Sequence, residues 1–190
     1  MARKLCFTVG AILLLAPCWA GAASPEGWFL AGSDPGSYKI ERDTTVTHEG
    51  KNSGKLFSIA TSKGFGTMMQ SFEPGEYLGK RVRMSAFVKS KDVKRWAGLW
   101  MRVDGKEKGS LSFDNMQDRP ITGTSDWKRY DIVLDVPAEA GGVFFGILVD
   151  GPGTVWISDV RFEVVDSSVA ITGAKGRGMQ PKPSNLNFDR

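Results

Sequence analysis

The sequence predicts an all-β protein: a jelly-roll β-sandwich of about nine antiparallel strands, preceded by a signal peptide. Two observations predict the sandwich. Short runs of β-branched, aromatic and alternating apolar residues recur along the chain, and turn residues separate them, such as Asp34-Pro35-Gly36, Pro74-Gly75 and Gly151-Pro152-Gly153. Beyond the N-terminal region no segment carries a long 3.6-residue apolar period, which argues against a helical domain.

Alternation within the predicted strands assigns their faces. The strands are expected at residues 38–42, 55–60, 66–72, 81–90, 97–104, 110–113, 128–136, 143–149 and 154–165. The odd-numbered positions of the strand 97–104 are apolar. Residues 143–149 are apolar on both sides, which predicts a central strand. The predicted core includes Met84, Leu99, Met101, Ile132 and Leu134.

Residues 1–22 have the pattern of a secretory signal peptide. Arg3-Lys4 gives a positive start, residues 5–17 are almost wholly apolar, and Ala20-Gly21-Ala22 is a small-residue cleavage pattern. The apolar run is short for a membrane span. We therefore expect a periplasmic or secreted protein, cleaved after this pattern, with no membrane span in the mature chain.

The rest of the chain predicts one sandwich domain over residues 23–166 and a Gly/Pro-rich tail over residues 167–190. Both cysteines, Cys6 and Cys18, fall in the leader, so the domain is expected to fold without a disulfide. Lipidation at Cys18 is an alternative to simple cleavage, although Pro17 matches a lipoprotein signal poorly. The net charge is +4 and basic residues are scattered among acidic ones, which argues against nucleic acid as a partner.

Several motifs follow one another in an order shared with a known family. They are residues 79–83, 97–104, 113–120, 123–127, 133–137 and 153–160. Over residues 27–165 the chain resembles a bacterial galactose-binding-like jelly-roll domain, similar in layout to carbohydrate-binding modules. Such domains stand alone or beside peptidases, esterase-like enzymes and transcriptional regulators, which implies an accessory role without a fixed ligand. Residues 183–189 resemble the segment that opens such a domain, and form either a linker or a strand that folds back.

Two tryptophans are the strongest binding signal. Trp96 and Trp100 are four residues apart on one strand, so both project from one side, about 13 Å apart at the strand rise. Arg102 follows on that side. Flat rings stack on sugar faces while arginines and carboxylates bond the hydroxyls, which predicts a carbohydrate or similar polyhydroxylated ligand. Alternatively the rings pack under a loop or the tail, and the domain is a structural or protein-interaction module.

The polar segment after the sixth predicted strand, residues 114–127, is expected to be a long functional loop. Asp114, Asn115 and Arg119 complete the predicted ligand-binding set. Oxygen atoms of Asp114, Asn115 and Asp118 suit Ca²⁺. Jelly rolls of the resembled kind often carry a structural calcium, and this resemblance adds Asp159 to Asp118 as a predicted metal ligand. The spacing matches no specific metal motif, and Asp118 beside Arg119 equally predicts an internal ion pair.

The sequence favours a protein that is not an enzyme. His48, the single histidine, stands beside a turn, and the chain shows no serine elbow, no paired metal histidines and no cysteine nucleophile. The alternative is a jelly-roll enzyme acting on polysaccharide, with His48 or a tyrosine as base. Paired carboxylates for glycoside hydrolysis are not singled out by spacing.

Overall fold

The computed structural model describes residues 23–107 and 109–173. Nine strands account for most of this part. They are β1 (Phe29–Gly32), β2 (Tyr38–His48), β3 (Lys51–Ser58), β4 (Phe65–Phe72), β5 (Lys80–Gly105), β6 (Ser110–Asp114), β7 (Ile121–Val136), β8 (Ala140–Asp150) and β9 (Thr154–Val165). Two short 3₁₀ turns lie at Pro35–Ser37 and Gly75–Tyr77. The predicted all-β class with about nine antiparallel strands is confirmed; the predicted signal peptide lies outside the described residues.

Strand β5 joins the two layers of the sandwich. Hydrogen bonding runs in the order β1-β4-β8-β5-β9-β3-β2, and β6 and β7 also pair with β5. Residues 96–105 of β5 pair with β8 and β6, whereas residues 80–91 pair with β7 and β9. The front layer therefore contains β1, β4, β8, the second half of β5 and β6. The back layer contains the first half of β5, β7, β9, β3 and β2.

The hydrophobic core lies between these layers. The five predicted core residues are all buried, at 3% exposure or less, which confirms the assignment by alternation: Met84, Leu99, Met101, Ile132 and Leu134. Strand β8 lies between β4 and β5, as its two apolar sides predicted. Burial of aliphatic side chains of this size contributes about 1.5–3 kcal/mol each.

Three strand predictions need correction. The predicted strands 81–90 and 97–104 are one strand, because pairing continues through register shifts near Ser90 and Val93. The predicted loop 114–127 is shorter, since β7 begins at Ile121, which pairs with Ala97 and is buried. Strand β1 was not predicted; its four residues are too few to show alternation, and pairing with β4 fixes them.

The first part of the predicted tail packs on the sandwich. The amide of Thr172 donates to the carbonyl of Val133 in β7, at 3.0 Å. Residues 174–190, including the segment 183–189, lie outside the described residues. Within the described ranges, no helix is long and apolar enough to cross a membrane.

Candidate binding cleft

The outward side of the front layer forms a cleft with a volume of about 880 Å³, in the size range of small-ligand sites. Alternate residues of five strands reach it, because successive side chains of a strand point to opposite faces. The lining includes Phe29 and Ala31 of β1, Phe65, Thr67 and Met69 of β4, Phe144, Leu148 and Asp150 of β8, Trp96, Trp100 and Arg102 of β5, and Phe113 and Asn115 at the end of β6.

The two predicted tryptophans both line the cleft but differ in burial. Trp100 is only 8% exposed, and its indole Nε1 donates to the hydroxyl of Thr67 at 2.7 Å. That hydroxyl donates in turn to the carbonyl of Ile147. Trp96 is half-buried and lies directly across from Asp150 of β8. Trp100 is thus a packed floor residue, and Trp96 is the more accessible ring.

An arginine–aspartate pair stands at each end of the cleft. At the Trp96 end, Nη2 of Arg95 donates to Oδ1 of Asp150 at 2.5 Å and to the carbonyl of Gly64 at 3.2 Å. Further along β5, the guanidinium of Arg102 donates to Oδ2 of Asp104 through Nε (3.1 Å) and Nη2 (2.8 Å). The arginine side chains are 46% and 42% exposed, so part of each guanidinium faces solvent. Both guanidinium groups offer N–H donors to the cleft, and Asp150 adds a carboxylate acceptor.

Phenylalanines form the rim of the cleft, and the sequence reasoning missed them. Phe29 is 47% exposed, Phe65 is 36% exposed and Phe113 is 46% exposed. Phe113 lies directly across from Arg102, whose guanidinium is 5.0 Å from the ring centre of Phe144. Phe113 and Phe144 were missed because the sequence did not show that β6 and β8 pair with β5. With that pairing known, the alternation that identified Trp96 would have identified them as well. Phe29 gave no signal because β1 is so short.

Asp114 and Arg119 lie behind the cleft wall rather than in it. Asp114 is 5% exposed and accepts from both Nη atoms of Arg119, from the amide of Met116 and from the hydroxyl of Thr172. Burial raises the pKa of Asp114, but these donors outweigh it and hold the pKa below its ordinary value. Asp114 and Arg119 therefore form an internal ion pair outside the lining of the cleft. Of the predicted loop residues, Asn115 reaches the cleft.

The two predicted metal ligands, Asp118 and Asp159, are both held in ion pairs. Asp118 accepts from Arg119 at 2.8 Å, as the ion-pair alternative predicted. Asp159, in β9, accepts from Lys51 at 2.6 Å and from Arg161 at 2.7 Å, and these two bonds hold its pKa below the ordinary value. Each carboxylate is thus already neutralised by cations. Across residues 23–107 and 109–173, no group of three histidine, cysteine or acidic residues converges as a metal site would require.

The candidate bases of an enzyme are not in the cleft. His48 stacks on Phe87 of the back layer, with ring centres 4.0 Å apart, and contacts Trp127. Tyr38 is buried, and its hydroxyl bonds the carbonyls of Gly64 and Gly151. Among the described lining residues the one carboxylate is that of Asp150, which is held in an ion pair. The pair of carboxylates that glycoside hydrolysis uses is not assembled there.

Comparison with known proteins identifies relatives in sequence and fold. No protein-family model matches the chain. It is 46% identical over 167 residues to YbfP of Bacillus subtilis strain 168, described as an uncharacterized HTH-type transcriptional regulator; the match covers 86% of this chain and 57% of that protein. The chain thus spans little more than half the length of this relative.

Solved structures share the fold at low sequence identity. The CBM22-1 xylan-binding domain of Paenibacillus barcinonensis Xyn10C superposes with a TM-score of 0.56 at 13% identity, over 76% of this chain and 89% of that domain. The enzymatically active domain of tailspike protein 4 from bacteriophage CBA120 has a TM-score of 0.57 at 16% identity, over 74% of this chain and 20% of that one. The predicted resemblance to the jelly roll of carbohydrate-binding modules is confirmed as a likeness of fold.

Proposed function

We propose that this protein is an exported, non-catalytic binding module that holds carbohydrate in the front-layer cleft. The observation that carries the proposal is the combination of an accessible tryptophan and exposed phenylalanines with an arginine–aspartate pair at each end of one cleft. Aromatic rings cover the apolar faces of sugar rings, and paired donors and acceptors bond neighbouring hydroxyls.

The charge of the cleft favours a polyhydroxylated ligand over a strongly anionic one. Arg95 is paired with Asp150 and Arg102 with Asp104, so neither guanidinium presents an unbalanced charge. Lys63, the third cation of the lining, is the one for which the described residues provide no ion pair. The two guanidinium groups and the carboxylate of Asp150 retain hydrogen-bonding capacity, because a guanidinium has five N–H donors and a carboxylate about four acceptor positions. A chain of hydroxyl groups uses both kinds of capacity.

The residues of the cleft also support a non-catalytic role. Asp150 is the one carboxylate of the described lining, and it is held in an ion pair with Arg95, whereas glycoside hydrolysis uses two carboxylates. His48 and Tyr38 lie elsewhere in the sandwich. Incubation with a bound polysaccharide is expected to release no new reducing ends, and turnover would contradict this part of the proposal.

A protein partner is the second candidate, and the exposed rim favours it. Phe29, Phe65 and Phe113 place apolar rings at the mouth of the cleft, and aromatic residues are enriched in the centres of protein interfaces. A stable stoichiometric partner together with an absence of glycan binding would select this candidate.

Export rests on the pattern of residues 1–22. We expect the exported protein to begin after Ala22 or Ala23, as mass spectrometry of its N-terminus would show. A protein that still begins at Met1 in the cytoplasm would contradict export. A diacylglycerol mass on Cys18 would indicate the lipoprotein alternative instead.

Binding is tested by calorimetry against xylan, galactan and bacterial polysaccharides. Trp96→Ala is the test variant and Trp127→Ala, on the back layer, is the matched control; thermal melting verifies that both are folded. Loss of one stacking ring is expected to weaken binding by about 1–2 kcal/mol, roughly 5- to 30-fold, in Trp96→Ala alone. Equal loss in the Trp127→Ala control would contradict the assignment of the cleft.

A further inference from the structure

We propose that residues 166–173 belong to the binding module, and that Thr172 is a positioning residue for the wall of the cleft formed by Phe113 and Asn115. This inference rests on the proposed function. Thr172 is not part of the lining, and it acts through Asp114, which lies between the two wall residues in the sequence.

One hydroxyl connects three parts of the chain. Oγ1 of Thr172 donates to Oδ2 of Asp114 at 2.6 Å and accepts from the amide of Val133 at 2.8 Å. The carbonyl of Val133 is a further, longer acceptor for this hydroxyl at 3.4 Å. Because a hydroxyl has a single proton, the shorter contact to a charged acceptor takes it. Thr172 thereby joins the last segment, β7 and the end of β6.

Asp114 transmits this contact to the cleft wall. It is buried while Phe113 and Asn115 face the cleft, as strand alternation requires. Its Oδ1 also accepts from the amide of Met116, which has a φ of 60°. This left-handed conformation is uncommon for a non-glycine residue, so the carboxylate holds a turn that the backbone alone disfavours. The orientation of Asp114 therefore sets the path of the chain through Asn115.

Residues 166–173 pack closely against this wall. A Cβ atom on Gly173 would lie 2.5 Å from the carbonyl oxygen of Phe113, so a residue larger than glycine would not fit without a shift of the backbone. At its other end the segment is anchored by Arg81, whose Nη1 donates to the carbonyls of Ser167 (2.5 Å) and Val169 (2.6 Å). Arg81 is itself fixed by Asp135. Residues 166–173 are thus anchored at both ends, and the second anchor is the cleft wall.

Removal of the hydroxyl would leave Asp114 buried with one of its donors lost. A hydrogen bond to a charged group is among the stronger ones in a protein. We expect the turn at Met116 to open more often, and the wall to present Phe113 and Asn115 less accurately. Ligand affinity would then fall without loss of any ligand contact.

The test compares Thr172→Val, which keeps the shape without the hydroxyl, with Thr172→Ser, which keeps the hydroxyl. Thr122→Ala, at an exposed position of β7, is the control. In the ligand-free protein, hydrogen exchange of the Met116 amide is expected to accelerate roughly tenfold or more in Thr172→Val, and to stay near the wild-type rate in Thr172→Ser and the control. Wild-type exchange in Thr172→Val would overturn the inference.

Calorimetry with the polysaccharide that binds best gives the second readout. Thr172→Val is expected to weaken binding several-fold, with rescue in Thr172→Ser. In a Phe113→Ala background the same change is expected to have a smaller further effect, because one of the two wall residues that Thr172 positions is already gone. Fully additive losses would contradict the mechanism. If no polysaccharide binds, the proposed function fails, and the exchange measurement alone decides whether Thr172 holds the wall.

Discussion

The two halves of β5 build the two outer faces of the sandwich with opposite chemistry. In residues 80–91 the outward side chains include Arg83 and Lys89, which pair with Glu163 at 3.0 Å and Asp126 at 2.7 Å. In residues 96–105 the outward side chains include Trp96 and Trp100, which line the cleft. One strand, whose alternation changes phase at the register shifts between its two halves, thus serves a charged face and an aromatic face.

The two faces differ in how much aromatic surface they leave exposed to solvent. On the back layer, Arg83 lies directly across from its partner Glu163, and the ring of His48 covers Phe87. On the front layer, Phe29 and Phe113 remain 47% and 46% exposed. Exposed aromatic groups gathered at one concave site indicate an interaction surface, whereas cross-strand ion pairs are typical of a solvated sheet face.

The largest expected effect is a difference in stability between alanine variants of the two tryptophans of the cleft. Trp100→Ala removes a ring that is 8% exposed and its hydrogen bond to Thr67, so it is expected to lower the free energy of unfolding by about 3–5 kcal/mol. Trp96→Ala is expected to lower it much less, because Trp96 is half-buried. Denaturant unfolding measures both. Equal, small losses would mean that Trp100 is a surface platform like Trp96.

An intermediate effect concerns the acid stability of the back layer. Burial raises the pKa of Asp43, but hydrogen bonds from the Val46 amide, the Trp156 indole and Thr45 outweigh it and lower the pKa to about 2. A lowered pKa in the folded state stabilises the protein above the unfolded pKa, about 3.9, and this contribution is lost as pH falls towards 2.

We therefore expect the free energy of unfolding to fall more steeply in the wild type than in Asp43→Asn between pH about 4 and about 2. The difference is expected to be on the order of 1 kcal/mol, since Asp43 is partly exposed. Urea unfolding at a series of pH values measures it. If the free energy of unfolding changes with pH equally in the two proteins, protonation of Asp43 is not coupled to folding.

The smallest effect is expected on the charged face. Glu163 is 51% exposed and pairs with Arg83, so Glu163→Gln is expected to change stability by less than about 1 kcal/mol and to leave binding unchanged. Denaturant unfolding tests the expected stability, and calorimetry tests the expected binding. Loss of ligand affinity in this variant would move the binding site to the back layer.

The same comparison shows what the sequence could predict. Alternation placed Leu99 and Met101 in the core and Trp96, Trp100 and Arg102 on the other side of β5, because period two is a local property. It could not distinguish buried Trp100 from accessible Trp96, since this depends on Thr67 of β4, which is remote in sequence. Likewise the polar run after β6 predicted ligand contacts at Asp114 and Arg119, whereas the sequence could not show that Asp114 is buried and bonded to both Arg119 and Thr172.

The central claim is that ligand binds on the front layer, and the indole N–H signals of the tryptophans test it most directly in an NMR titration. A bound oligosaccharide is expected to shift the signals of Trp96 and Trp100, which line the cleft. The signals of Trp127 and Trp156, whose indoles bond Thr47 and Asp43 on the back layer, are expected to stay in place. Saturable shifts at Trp127 and Trp156, with Trp96 unchanged, would contradict the account.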